Sequence, residues 1–174
     1  LAQTGTNAIV DWVLVELRNA SSPYALVATR AALLQADGDV VDAGGVPYLT
    51  FNQPAGNYRV AVRHRNHLGA MSSSVGLSAA VTTVDLTSPA TATYGTNAQR
   101  AVGPVNVLWS GNVLRDGRLS YSGSGNDRDP ILSRIGGAVP TATTTGYLSE
   151  DVNMDGVVKY SGASNDRDPI LNNI

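Results

Sequence analysis

The sequence predicts a mainly β protein: an antiparallel β-sandwich followed by a small tandem loop–helix module. Two observations carry most of that reading. Eighteen glycines and eight prolines against a single Phe call for many turns and short strands. Near the end, Asn126-Asp127-Arg128-Asp129-Pro130-Ile131-Leu132 recurs unchanged as Asn165-Asp166-Arg167-Asp168-Pro169-Ile170-Leu171, an offset of 165 − 126 = 39. The offset also maps Tyr121-Ser122-Gly123 onto Tyr160-Ser161-Gly162 and Asp116-Gly117 onto Asp155-Gly156.

The elements follow in order. Val10–Arg18 is rich in β-branched and apolar residues and lacks helix punctuation, so it reads as the first strand. Asn19–Pro23 is a turn, and Leu26–Leu34 a second strand whose alanines leave a helix open. Asp37-Gly38-Asp39 and Gly44-Gly45 are turn signals, with a short strand at Tyr48–Phe51. After a turn at Pro54–Asn57 comes the clearest strand, Tyr58–Arg65. Tyr58, Val60 and Val62 share one face, and Arg59, Ala61, Arg63 and Arg65 the other. Val75–Leu77 and Val81–Leu86 complete about seven strands at the close spacing of a sandwich. The expected organisation is a sandwich over residues 1–88, an extended linker or surface strap over 89–105 rich in Thr, Ala, Ser, Gly and Pro, and the tandem module over 106–174. Helices around Asp129–Ile135 and Asp168–Ile174 are too short to stand alone.

A net charge of −2 offers no electrostatic basis for binding nucleic acid or an acidic membrane. Without cysteine there is no disulfide, thiol nucleophile or zinc–thiolate site. No apolar run reaches membrane-spanning length. A start at Leu1 leads us to expect a processed product or a piece of a longer protein.

The second copy opens Asp151-Val152-Asn153-Met154-Asp155-Gly156. Oxygen-bearing side chains at alternate positions followed by a glycine form the first half of an EF-hand-type calcium loop. Asp151, Asn153 and Asp155 take positions one, three and five, and the Val157 carbonyl takes position seven. Position twelve, normally acidic, is Gly162; the insertion Ser161–Ser164 displaces the closing acid to Asp166 or Asp168. In the first copy the equivalents are Asn112, Leu114 and Asp116, so a leucine holds one ligand position and that loop is expected to be a degenerate structural partner. The expected cofactor is one Ca²⁺ at the second loop.

This pattern resembles the dockerin type I module, in which two Asp-x-Asn-x-Asp-Gly loops each lead into a helix. It also resembles repeats at the C-terminal ends of secreted surface proteins of Bacteroidota-type bacteria, where Tyr-(Ser/Thr)-Gly and then Asn-Asp-Arg-Asp recur. The β part, with Arg63-His64-Arg65-Asn66-His67, looks like the Ig-like region that precedes such repeats. The resemblance implies an extracellular or cell-surface, calcium-stabilised, non-catalytic role.

Other constellations have structural readings. His64 is expected to be a partly buried, hydrogen-bonded strand-end residue, with His67 in the following turn. Arg128 and Arg167 are expected to pair with neighbouring aspartates and fix the helix starts. Trp12 and Trp109 are expected in the core. No nucleophile elbow, phosphate loop or zincin motif is present, so no enzymatic activity is expected. The leading expectation is a structural protein that contacts other copies of itself, as in a filament, or a surface protein domain. Uncharged Leu1–Asn7 is the segment expected to reach a neighbour. The competing expectations are a dockerin-like binding module and an accessory domain of a larger secreted enzyme or adhesin. The orientation of Ile131, Leu132, Ile170 and Leu171 separates them: an outward apolar patch favours docking, and burial within the chain disfavours it.

Overall fold

The computed structural model describes residues 4–174. It is mainly β, with antiparallel sheets and two short α-helices. The chain divides into two compact units. The first holds the described residues up to His64 together with Gly69–Val107, and the second holds Arg65–Leu68 together with Leu108–Ile174.

In the first unit, β1 (Ile9–Asn19), β2 (Leu26–Gln35), β3 (Val40–Val41), β4 (Gly56–Arg63) and β5 (Ala70–Met71) form one antiparallel sheet in the order β3-β2-β1-β4-β5, with β6 (Val75–Leu77) also pairing β4. Alternation along β1 sets the faces: Asp11, Val13, Val15 and Leu17 are buried while Val10, Trp12 and Leu14 are exposed. Val15 sits opposite Val62, and Leu17 opposite Val60. Val13, Val15 and Ala32 form a core against Leu34, Val40, Leu49, Phe51, Val60 and Val62. Leu49 and Phe51 come from an irregular segment, so Tyr48–Phe51 covers the sheet without joining it as a strand. Val81–Leu86 is likewise irregular. Among the described residues this unit thus has one six-stranded sheet and one separate two-stranded pair, where a sandwich of two facing sheets was expected.

The segment expected to be a linker belongs to the first unit. β7 (Arg100–Val102) and β8 (Val105–Val107) pair through a turn at Gly103, where φ is +57°. Its approach is pinned by Ser73 N–H to the Ala92 carbonyl and by Gln99 Nε2 to the Leu86 carbonyl, both 2.8 Å, and by Tyr94 N–H to the Met71 carbonyl at 2.7 Å. Backbone bonds of this kind turn a low-complexity stretch into a fixed strap. The described part of the N-terminal segment is also fastened to its own unit. Asp37 N–H donates to the Thr6 carbonyl, and Gln35 Nε2 to the Asn7 carbonyl. This corrects its expected freedom to reach a neighbour; Leu1–Gln3 lie outside the described residues.

Trp12 is 48% exposed, which corrects its assignment to the core. His64 is buried with Nε2 3.0 Å from Asp11 Oδ2, a structural strand-end contact. No helix among the described residues is long and apolar enough to cross a membrane.

The second unit contains α1 (Asp129–Arg134), the hairpin of β9 (Thr143–Thr145) and β10 (Val157–Lys159), and α2 (Arg167–Leu171). Its core is built jointly by the two copies: Val113, Ile131 and Ile135 from the first, Val152, Val158 and Ile170 from the second. Ile131 and Ile170 are fully buried, Leu132 packs against the same cluster, and Leu171 is 48% exposed.

Candidate metal centre

Each copy is organised around a buried aspartate that receives backbone N–H groups. Asp127 Oδ1 accepts from Leu114 at 3.0 Å and Oδ2 from Ser120 at 2.9 Å. Asp166 Oδ1 accepts from Val152 at 2.7 Å and Asn153 at 3.1 Å, and Oδ2 from Lys159 at 2.7 Å. The Asp166 carboxylate ties its loop to the strand at Val157–Lys159, and the Asp127 carboxylate ties its loop to the irregular segment at Ser120. Burial raises both above the ordinary carboxylate range, against the backbone donors that lower them. Asp116 adds to the rise at Asp127, and Asp151 at Asp166.

The neighbouring asparagines start the helices. Asn126 Oδ1 accepts the Asp129 N–H at 2.8 Å while its amide donates to the Gly123 carbonyl and Asp129 Oδ2. Asn165 repeats this with Asp168 N–H at 3.0 Å, the Gly162 carbonyl and Asp168 Oδ2. Arg128 stacks over Tyr121 at 5.1 Å and pairs with Asp129; Arg167 stacks over Tyr160 at 5.4 Å and lies 3.5 Å from Asp168. The repeated Asn-Asp-Arg-Asp string is therefore explained within the chain.

The loop backbones match as well. Left-handed φ values recur at Arg115 (57°) and Met154 (60°), at Gly117 (83°) and Gly156 (86°), at Gly123 (86°) and Gly162 (89°), and at Gly125 (68°) and Ser164 (56°). Tight turns of this hand bring alternate side chains toward one centre. In the second loop Asp155 N–H donates to Asn153 Oδ1 at 2.9 Å, and Val157 N–H to Asp155 Oδ1 at 2.9 Å. Gly156 N–H donates to Asp151 Oδ2 at 3.1 Å. Asp151 Oδ1 is buried and has no hydrogen-bond partner among the described residues. A buried carboxylate oxygen left without a donor is costly, and a bound cation is one remedy.

The expected ligands separate into two groups. Asp151, Asn153, Asp155 and Val157 lie in the first half of the loop and bring oxygen donors, the type a hard cation takes. Asp166 spends both oxygens on three backbone donors. Asp168 is an exposed helix-start residue engaged with Asn165 and Arg167. Neither takes the posture of a loop-closing bidentate acid. Among the described residues no three acidic or histidine side chains converge, so a site here draws on the Asn153 amide oxygen and the Val157 carbonyl as well as carboxylates.

Sequence reasoning missed the support of Asp151. Arg65 Nη2 lies 3.7 Å from Asp151 Oδ2, donates through Nη1 to the Leu148 carbonyl, and stacks over Tyr147 at 4.4 Å. Asn66 Nδ2 donates to the Asp151 carbonyl at 2.6 Å. Arg65 belongs to a string that stands out in the sequence, but a partner 86 residues away (151 − 65) leaves no local signal.

No protein-family model matches the chain, and neither a curated protein nor a solved structure matches it.

Proposed function

We propose that this chain is a non-catalytic, extracellular structural or surface protein with a dockerin-like repeat module stabilised by calcium at the second loop. The observation that carries the calcium reading is the buried, partnerless Oδ1 of Asp151 inside an Asp-x-Asn-x-Asp-Gly turn. Asp151, Asn153, Asp155 and the Val157 carbonyl would hold the ion. When bound it would supply charge neutralisation and a cross-link within the loop. Asp166 and Arg65 hold the loop in shape around it.

Extracellular location rests on the loop pattern and its resemblance to secreted repeats. Docking in the dockerin manner has less support, because Ile131 and Ile170 are buried and Leu171 alone of the four apolar helix residues is exposed. Self-association keeps one supporting observation: Val10, Trp12 and Leu14 stand exposed along β1.

The test is thermal unfolding with chelator and with millimolar calcium. A metal that binds only the folded form adds about 2.7 kcal/mol at a hundredfold excess over Kd. The melting temperature should therefore rise by several degrees, and Asp151→Ala should remove the rise. Superimposable curves for the unmodified chain would defeat the calcium reading. Light scattering on the chain and on Trp12→Arg tests self-association, which fails if the unmodified chain stays monomeric at high concentration.

A further inference from the structure

A cleft of about 250 Å³ in the second unit is lined by Arg65, Arg115, Arg134, Tyr147, Ser149 and Glu150, with Leu148 at its wall. Its arginines are not equally engaged. Arg134 places Nε and Nη2 at 3.0 and 2.8 Å from the same Glu150 oxygen. Arg65 is held by the Leu148 carbonyl, the Tyr147 ring and, at 3.7 Å, Asp151. The Arg115 guanidinium forms no hydrogen bond or ion pair among the described residues, although its five N–H groups share the cleft with those of two other arginines. Donors outnumber acceptors, so a ligand completing this site must bring acceptors. The lining carries three arginines against Glu150 alone, a charge of 3 − 1 = +2, and Glu150 is already paired with Arg134 at 2.8 Å, so the cleft favours an anion.

The shape narrows the ligand class. A planar guanidinium fork matches a carboxylate. Tyr147 is 62% exposed, yet its ring is braced by Arg65, so a fixed aromatic wall stands beside the charged floor. The volume lies below the usual range for drug-sized ligands and accommodates about one ring. We propose that this cleft binds the carboxylate of an acidic sugar residue, with Arg115 as the principal anion contact and Tyr147 against the sugar ring. None of the proposed metal ligands lines the cleft, but Arg65 reaches both, lying 3.7 Å from Asp151 Oδ2, so the test is run with and without calcium.

The experiment is a backbone-amide NMR titration at low and at physiological salt, with and without calcium. The probes are glucuronate, glucose, N-acetylglutamate and inorganic sulfate. Glucuronate should shift the amides of Arg115 and Tyr147–Glu150 with a Kd on the order of 1 mM. Its binding should weaken as salt rises. Glucose should produce no shifts there, and N-acetylglutamate and sulfate should bind at least several-fold more weakly. Arg115→Asn, which tolerates the left-handed backbone, should lose about tenfold in affinity, with Arg115→Gly as a second check on the same point. Tyr147→Ala should weaken glucuronate but leave N-acetylglutamate unchanged. Glucose binding as well as glucuronate, or Arg115 variants binding normally, would overturn the proposal. Sulfate or the acyclic carboxylate binding as tightly as glucuronate would overturn the sugar assignment and reduce the cleft to a general anion hole.

Discussion

The two copies of the repeat share a backbone and differ in charge. Arg115 and Met154, and Gly117 and Gly156, adopt the same left-handed conformations, and Asp127 and Asp166 collect the same kind of backbone donors. Yet the positions that face the loop centre read Asn112, Leu114, Asp116 in one copy and Asp151, Asn153, Asp155 in the other. In the first, Asp116 N–H donates to Asn112 Oδ1 at 3.2 Å; in the second, Asp151 keeps a buried oxygen with no partner among the described residues. The turn therefore does not need a ligand set in order to form. Its shape comes from the aspartate behind it, which leaves the residues in front free to become, or cease to be, a cation site.

The strongest way to break the comparison is to remove the aspartate common to both. Asp166→Ala strands three backbone donors and Asp127→Ala two. At about 1–3 kcal/mol for each buried group left unpaired, losses of about 3–9 and about 2–6 kcal/mol are expected in urea unfolding. Equal, small losses would mean that these carboxylates do not organise the loops. The comparison is sharpened by converting one copy into the other. Asn112→Asp with Leu114→Asn should give the first loop a calcium-dependent gain of about 1–3 kcal/mol that the unmodified loop lacks, read as a second step in a calcium titration of the melting temperature.

Gly111 marks a place where the copies cannot exchange residues. Its φ is +111°, and an added Cβ would meet Ile170 Cγ1 at 2.9 Å, whereas the equivalent position is Glu150, paired with Arg134. Gly111→Ala should cost about 1–3 kcal/mol through overpacking and backbone strain. The stacked pairs should matter less: Tyr121→Leu and Tyr160→Leu are each expected to lose about 0.5–1 kcal/mol, equally within error.

The smallest effect concerns pH. Burial raises Asp127, so the stability it contributes is fully present below the ordinary carboxylate pKa and is lost as pH rises through its own, higher value. Asp129 is lowered, first by the Asn126 amide and then by Arg128, so its contribution is present above the ordinary value and is lost as pH falls through the lower one. A carboxyl-detected NMR titration should find Asp127 protonating before Asp129 as the solution is acidified. The reverse order would contradict the burial of Asp127.

Legibility in the sequence tracked locality. β1 and β2 were readable from their runs of apolar and β-branched residues, and β4 from the alternation of Tyr58, Val60 and Val62 with Arg59, Ala61 and Arg63. The helix starts were readable because their caps lie within three residues. The β7–β8 hairpin was hidden because Thr, Ala, Gly and Pro around it carry no periodicity, and its attachment depends on backbone groups alone. Asp166 shows a different limit: spacing brings an acid to the end of a loop but does not say whether a cation or a set of amides will meet it. The Arg65 contact was invisible because it joins residues far apart in the chain.

That contact belongs to a segment with a topological consequence. The second unit is made of two stretches, Arg65–Leu68 and Leu108–Ile174, joined within it by Leu68 N–H to the Trp109 carbonyl and Gly111 N–H to the Asn66 carbonyl, both 2.8 Å. A fragment beginning at 108 would lack Arg65 and Asn66 and with them two supports of Asp151. Cleavage of a peptide bond between 69 and 107 would leave the second unit as a noncovalent complex, its short stretch retained on one product and its long stretch on the other. During synthesis the short stretch emerges first and must wait, unpaired, until the ribosome has delivered the rest of its unit.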